Sequence, residues 1–180
     1  EKITVLRDYL LQTKCLEFLN IGGNKLGIGD LEGLDLLLSG ISGHPSLKTL
    51  NLEDNSLGDK GFAKLLNVIP TTKRLATLFL MRNKIKTIPQ KEIQNVFVGS
   101  QLKNFYMGSN QLEETGCITL IKALSHLSEL KTFDVYKTGI ADQACEVLAT
   151  TLKKWPKLRF LNISDNKIGD AGAKELGLAF

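Results

Sequence analysis

Cysteine and histidine are scarce in this chain of 180 residues, which has three cysteines and two histidines. Cys15, Cys117 and Cys145 are too few and too scattered for the disulfide framework of a small secreted protein, so we expect reduced thiols and a cytoplasmic location. Neither His44 nor His126 has a cysteine or a second histidine at ligand spacing, and no serine–histidine–aspartate set is visible. We therefore expect no catalytic residues, no metal site and no cofactor.

Long apolar runs and blocks of like charge are also missing. No stretch approaches the roughly 18 apolar residues that a membrane span needs, and we expect no contact with a membrane. Acidic and basic residues are mixed along the chain, and the net charge is only +4. This pattern does not favour a nucleic-acid-binding arm. With 43% apolar residues, the chain has enough hydrophobic material for one well-buried domain.

What the chain has in abundance is one repeated pattern, L-x-x-L-x-L-x-x-N-x-L, with an apolar residue at each L. Its six copies, units one to six, begin at Leu16, Leu47, Leu75, Leu102, Leu130 and Leu158. The starts are 31, 28, 27, 28 and 28 residues apart. Such near-constant spacing predicts a stack of structural repeats.

Within each unit, the alternation of apolar residues with period two predicts a short strand with one buried face. The asparagine that follows is expected to be buried and to bond backbone groups of its own and the neighbouring turn. These asparagines are Asn24, Asn55, Asn83, Asn110 and Asn166. Thr138 takes this place in unit five, and since a hydroxyl makes fewer bonds we expect a weaker joint there.

The second half of each unit has apolar residues at helical spacing. In unit two these are Phe62, Leu65, Leu66 and Ile69. Asp59, Asp142 and Asp170 are expected to stand just before their helices and cap the free N–H groups. Two units depart from the pattern. Unit three has Ile88 and Pro89 where its helix should begin, and unit one has three extra residues between positions 27 and 33.

The period near 28 residues and the L-G-D-x-G start of the helical half, at 57–61 and as I-G-D-x-G at 168–172, resemble the ribonuclease-inhibitor-like class of leucine-rich repeats. The resemblance covers essentially the whole chain. It implies an α/β horseshoe-shaped solenoid, with a parallel sheet on the concave face and helices on the convex face. Ribonuclease inhibitors themselves alternate two repeat lengths and are rich in cysteine, and this chain has neither property.

We expect a single leucine-rich repeat domain over residues 1–180. Residues 1–15 match the helical half of a preceding repeat, because Ile3, Leu6 and Leu10 precede Leu16 at the distances found before Leu75. The sequence stops inside the sixth helical half, and neither end has the polar capping repeat that a solenoid needs. A fragment of a longer protein is therefore expected.

Strand positions between the leucines should face the concave side, where successive units become neighbours. The first concave column is Phe18, Thr49, Thr77, Asn104, Thr132 and Phe160. The second concave column is Asn20, Asn51, Phe79, Tyr106, Asp134 and Asn162. The third concave column is Gly22, Glu53, Met81, Gly108, Tyr136 and Ser164, and the fourth is Gly23, Asp54, Arg82, Ser109, Lys137 and Asp165.

Aromatic residues, methionine and basic residues gather on units three to five, and several of these types are enriched at the centres of protein interfaces. The predicted partner-binding residues are Phe79, Met81, Arg82, Lys103, Tyr106, Lys131, Tyr136 and Lys137. Cross-strand packing of aromatic residues on an open sheet is the competing interpretation. The sequence leaves both open.

The resemblance implies a non-enzymatic module that recognises another protein, such as the sensing or regulatory repeat region of a NOD-like receptor in innate immunity. Similar stacks occur in actin-regulating scaffolds and bacterial effectors, and fold alone does not choose among them. A GTPase-activating protein resembling the Ran GTPase activator is an alternative, with Arg82 as the candidate assisting residue. Nucleic-acid binding through the basic residues at the strand starts, which include Lys103 and Lys131, is a further alternative.

Overall fold

The computed structural model describes residues 2–179, and each of the six units in it contributes one strand of three residues to a single sheet. The strands are β1 (Phe18–Asn20), β2 (Thr49–Asn51), β3 (Thr77–Phe79), β4 (Asn104–Tyr106), β5 (Thr132–Asp134) and β6 (Phe160–Asn162). All neighbours pair in parallel and in chain order. The register aligns the predicted columns, so that Thr49 pairs with Thr77 and Phe79 with Tyr106. The predicted strands and their register are confirmed.

The helices lie across the hydrophobic core from the sheet. They are α1 (Lys2–Gln12), α2 (Glu32–Ile41), α3 (Gly58–Val68), α4 (Gln90–Ile93), α5 (Glu113–Leu124), α6 (Asp142–Leu152) and α7 (Asp170–Gly177). A 3₁₀ turn, Ile69–Thr71, extends α3. Successive helices contact one another, and α1 packs against α2 as α6 packs against α7. The predicted α/β leucine-rich repeat solenoid is therefore the observed fold.

The hydrophobic core fills the space between the sheet and the helices. In units two to five, every apolar position of the repeat pattern is buried, from Leu47 to Ile140. In units one and six, most of these positions are only partly buried, as at Leu16 and Leu161. The difference follows from the stack itself, because β1 and β6 each have a neighbouring strand on one side only.

Unit three departs from the helical pattern as its sequence indicated. Pro89 immediately precedes α4, which is only four residues long, and turns follow it to residue 99. Phe97 from this turn region fills the core, with its ring edge-on to Phe105 at a centroid distance of 6.1 Å. Buried aromatic packing continues through Phe133 to Trp155, whose rings are 5.0 Å apart. Aromatic side chains thus supply volume that the missing helix turns would otherwise provide.

The extra residues of unit one form a loop that passes close to unit two. A Cβ atom at Gly27 would lie 2.1 Å from the carbonyl oxygen of Ser56, so no other residue fits there without a backbone shift. The loop leads to Leu31, which has a left-handed backbone with φ of 67° and is buried. The insertion therefore changes the path of the chain while unit one keeps its place in the stack.

The predicted helix caps are wrong. Asp59, Asp142 and Asp170 lie within the first two residues of their helices, and the residues at the N-cap positions of α3, α6 and α7 make no side-chain cap hydrogen bond. Asp59 instead accepts hydrogen bonds from the backbone N–H groups of Lys86 (2.7 Å) and Thr87 (3.0 Å) in the next unit. Asp142 likewise accepts one from Gly169 at 2.7 Å. These two carboxylates join units rather than cap helices.

Candidate binding surface

Two aromatic side chains of the second concave column form the centre of the predicted surface. Phe79 and Tyr106 lie on the paired strands β3 and β4, and their rings stack with centroids 4.4 Å apart and planes 8° apart. Both residues are half-buried. The stack fixes two ring orientations in advance, so a partner that packs on it would lose little further side-chain freedom at these positions.

Tyr136 reaches across a neighbouring unit. A Cβ atom at Gly108 would lie 2.1 Å from Cδ1 of Tyr136, so the ring rests against a position that only glycine leaves open. Hydrogen bonding to Tyr136 raises the pKa of Arg82 above its ordinary value, and the charges of Tyr136, Glu53 and Asp54 add to this effect. Tyr136 of unit five therefore spans unit four and meets Arg82 of unit three. The sequence placed these residues in columns but did not predict this contact, for which the glycine was the available signal.

Arg82 and Lys137 occupy the turn that leaves each strand. Their φ angles are 56° and 52°, and the equivalent residues of all six units also have left-handed backbones. Glycine stands at this position only in unit one, so the residue types do not indicate the left-handed conformation. Both charged side chains are exposed. A binding surface at this end of the strands would therefore combine the faces of aromatic rings with charged side chains held by a tight turn.

Lys103 and Lys131 lie at the opposite end of the strands, just before β4 and β5 begin. Hydrogen bonding to Lys157, at 2.8 Å, lowers the pKa of the nearby Glu129, and the charges of Lys103 and Lys131 add to this effect. At the same end of the strands, the ammonium group of Lys48 donates to the carboxylate of Glu17 at 2.6 Å. Acidic side chains thus stand among these lysines. The term aromatic cluster is used below for five residues on the strands of units three and four and just after the strands of units three and five. These residues are Phe79, Met81, Arg82, Tyr106 and Tyr136.

Comparisons with known proteins agree with this architecture. A family model described as Leucine Rich repeat matches residues 43–66 and 156–177. A ribonuclease inhibitor of Sus scrofa is 28% identical over 174 residues, which is 95% of this chain and 37% of that protein. NACHT, LRR and PYD domains-containing protein 4C of Mus musculus is 32% identical over 179 residues, or 97% of this chain and 18% of that protein.

The chain belongs to the leucine-rich repeat proteins of the ribonuclease-inhibitor-like class. It spans little more than a third of the ribonuclease inhibitor and less than a fifth of the NACHT-containing relative. Among solved structures, the C-terminal domain of tropomodulin from Caenorhabditis elegans is similar in fold. It has a TM-score of 0.59 with 12% identity, and the match covers 99% of this chain and 91% of that domain.

The convex side of this leucine-rich repeat protein has a groove that the sequence did not predict. Because α4 is short, a space of about 460 Å³ opens between it and α5. Ile93, Ile118, Lys122 and His126 contribute to its lining. Pro89 was the signal that could have indicated it, since it marks where the helical pattern fails.

Residues 2–179 contain no group of three or more histidine, cysteine or acidic side chains able to hold a metal ion. Burial raises the pKa of the Cys117 thiol to about 11, so it is protonated at neutral pH. None of the helices in this range is long and apolar enough to cross a bilayer. The concave surface offers stacking, hydrogen bonds and charge, which are the means of recognition.

Proposed function

We propose that this chain is a non-enzymatic module that recognises another protein in the cytoplasm, and that it serves as the sensing or regulatory repeat region of a larger protein of the NOD-like receptor kind. The similarity to proteins named for NACHT, LRR and PYD domains supports the second part, because it extends over 97% of the chain. The aromatic cluster supports the first part. It places three half-exposed aromatic rings and an arginine on adjacent units.

The single observation that carries the proposal is the arrangement of Tyr136, Gly108 and Arg82. Cross-strand packing alone accounts for the stack of Phe79 on Tyr106, since neighbouring strands bring those residues together. Tyr136 likewise lies over its cross-strand neighbour Gly108, but it also extends far enough to raise the pKa of the exposed Arg82 guanidinium two units away, where strand pairing does not bring it. Tyrosine and arginine in this setting are the residue types that dominate binding free energy at interfaces.

Ribonuclease binding is a second candidate function. Ribonuclease inhibitors from Sus scrofa and Mus musculus are 28% and 29% identical to this chain, each over 95% of its length. A ribonuclease therefore belongs among the first proteins to test as a partner. Titration of the chain into a ribonuclease activity assay would show whether it inhibits.

Paired variants of the concave and convex faces test the proposal. The chain and its Tyr106→Ala, Tyr136→Ala and Lys122→Ala variants are immobilised, and proteins captured from cells of the source organism are compared. A partner retained by the unmodified chain and by Lys122→Ala is then measured by calorimetry. We expect each tyrosine variant to lose more than about 1 kcal/mol of binding free energy. Full affinity in both tyrosine variants would remove the aromatic cluster from the binding surface.

A further inference from the structure

The second concave column has a hydrogen-bonding role in four of the six units. In each of these units the side-chain oxygen of an Asn or Asp accepts the backbone N–H of the residue two positions later. The bonds run from Gly22 N to Asn20 (3.0 Å), Glu53 N to Asn51 (2.8 Å), Tyr136 N to Asp134 (3.2 Å) and Ser164 N to Asn162 (3.1 Å). A backbone donor that faces the concave side is thereby satisfied within its own unit.

Units three and four break this pattern. Phe79 and Tyr106 stand where the other units have an Asn or Asp, and their rings offer no oxygen at that place. The corresponding donors are the backbone N–H groups of Met81 and Gly108. Within residues 2–179, neither group has an acceptor in hydrogen-bonding geometry. The aromatic stack and the free backbone donors therefore occur together.

A free donor at this place restricts what can dock there. Water can bond it in the free protein, but a partner that covers the aromatic stack removes that water and must bring an acceptor of its own. Met81 is half-exposed, whereas Gly108 lies beneath the ring of Tyr136. The Met81 N–H is thus the accessible donor of the two.

The charges around Met81 indicate which acceptor fits. Arg82 is the next residue and its side chain is exposed, as is that of Lys137 on the turn of unit five. Glu53 approaches Arg82 only to 3.9 Å and Asp54 adds a second negative charge nearby, but among the described residues neither carboxylate accepts a hydrogen bond from the guanidinium, whose donors stay available. A carboxylate gains from both the backbone donor and the cation, since hydrogen bonds in which at least one partner is ionised are the stronger ones.

We propose that the Met81 N–H and the Arg82 guanidinium together bind the carboxylate of an acidic side chain on a partner protein, while the residues beside that side chain pack on Phe79 and Tyr106. The incoming carboxylate takes the place of the Asn or Asp oxygen found in the other units. This inference rests on the proposed function and adds the chemistry of the partner to it.

Amide exchange measured by NMR tests the donor without any partner. We expect the Met81 N–H to exchange about tenfold faster than the Glu53 N–H, the equivalent of one hydrogen bond of about 1.4 kcal/mol. Phe79→Asn supplies the missing oxygen and should slow the exchange at Met81, whereas Phe79→Leu should leave it fast. Equal exchange at Met81 and Glu53 in the unmodified chain would overturn the inference.

Titration with the capped peptide acetyl-Gly-Asp-Gly-amide tests the ligand chemistry. We expect a shift of the Met81 amide resonance that Phe79→Asn abolishes, Phe79→Leu preserves and Arg82→Ala reduces. The same shift with the matched leucine peptide, or an unchanged shift in Phe79→Asn, would contradict carboxylate recognition. A Met81 shift that depends on protein concentration alone would assign the place to a second copy of the chain. If Tyr106→Ala no longer binds the natural partner, but the Met81 amide resonance of the unmodified chain does not respond to the peptide, the proposed function is upheld and this inference is rejected.

Discussion

The joints between units are held by asparagine in four places and by threonine in one, and the two kinds of joint differ in how they bond the preceding unit. At the joint between units two and three, Asn83 donates to the carbonyl of Leu52 at 2.9 Å. Its side-chain oxygen accepts the N–H groups of Asn55 (3.1 Å) and Leu57 (3.3 Å). One buried side chain thus makes three bonds to the neighbouring unit.

At the joint between units four and five, Thr138 turns its hydroxyl back to its own strand and donates to Val135 at 2.8 Å. The backbone N–H groups of Asn110 and Leu112, which correspond to those of Asn55 and Leu57, have no acceptor among the described residues. The carboxylate link is present at both joints, since Glu114 accepts the N–H of Gln143 at 2.8 Å as Asp59 accepts that of Lys86 at 2.7 Å. The comparison shows that cohesion in this stack is local, and that each joint depends on its own polar side chains.

The largest expected effect comes from imposing the weaker joint on the stronger one. Asn83→Thr removes three bonds to unit two and leaves buried donors without an acceptor, so we expect a loss of about 2–4 kcal/mol in the free energy of unfolding. The joint lies near the middle of the stack, so the two halves should also become less coupled. Urea unfolding measured by circular dichroism and by the fluorescence of Trp155, the single tryptophan, follows both consequences.

The two signals should give one midpoint in the unmodified chain and separate midpoints in Asn83→Thr, because Trp155, whose indole N–H bonds the carbonyl of Leu124 in unit four, reports on units four and five. Asn24→Thr is the matched control. Asn24 is exposed and its amide bonds only carbonyls of its own unit, Ile21 and Gly22, so the midpoint should move little. A similar loss in both variants would mean that the bonds between units do not set the strength of the joint.

The reverse exchange should strengthen the weaker joint by a smaller amount. Thr138→Asn offers an acceptor to the N–H groups of Asn110 and Leu112, and we expect a gain of about 1 kcal/mol in the free energy of unfolding. The gain is limited because Cys117 Sγ lies only 3.7 Å from the Thr138 hydroxyl and must accommodate the larger side chain. Thermal unfolding of Thr138→Asn and of Thr138→Ser, which adds no acceptor, measures it. A lower midpoint for Thr138→Asn than for Thr138→Ser would show that crowding outweighs the new bonds.

The sequence was sufficient to predict the fold because each unit repeats the same apolar spacing. Leu50, Leu78 and Phe105 recur at one position, and this recurrence determined strand, face and register without any knowledge of contacts. Thr138 could be recognised as an exception for the same reason. What the pattern could not indicate was the partner of each polar group. Asp59 bonds residues 27 and 28 positions away, so the local pattern predicts a helix cap where the structure has a link between units.

The candidate site was predictable only as a list of neighbouring residues. Pairing of β3 with β4 follows from the repeat, and it brings Phe79 beside Tyr106. The position of the Tyr136 ring over Gly108 depends on the direction of one side chain and on the lack of another. Neither property follows from the repeat pattern. Lys103 and Lys131 share the concave side by sequence position, yet the length of the strands separates them from Arg82.

The third and smallest expected change in the free energy of unfolding is caused by acid, which should weaken the joint between units two and three. Burial alone would raise the pKa of Asp59, but hydrogen bonds from the backbone N–H groups of Thr87 and Lys86 outweigh it and lower the pKa below its ordinary value of 3.8. A lowered pKa in the folded chain means that the contribution to stability is complete above the ordinary value and is lost as the pH falls through the folded value. We expect a contribution of about 0.5 kcal/mol, because water screens this partly exposed carboxylate.

Asp59→Asn keeps an acceptor at this position and removes its titration, so its free energy of unfolding should fall less steeply below about pH 4 than that of the unmodified chain. Asp170→Asn is the matched control, since Asp170 holds the same place in unit six and the described residues contain no following unit for it to bond. Its acid slope should equal that of the unmodified chain. Urea unfolding at several pH values compares the three proteins. If Asp59→Asn keeps the full slope, the carboxylate of Asp59 does not contribute to the stability of the joint between units two and three.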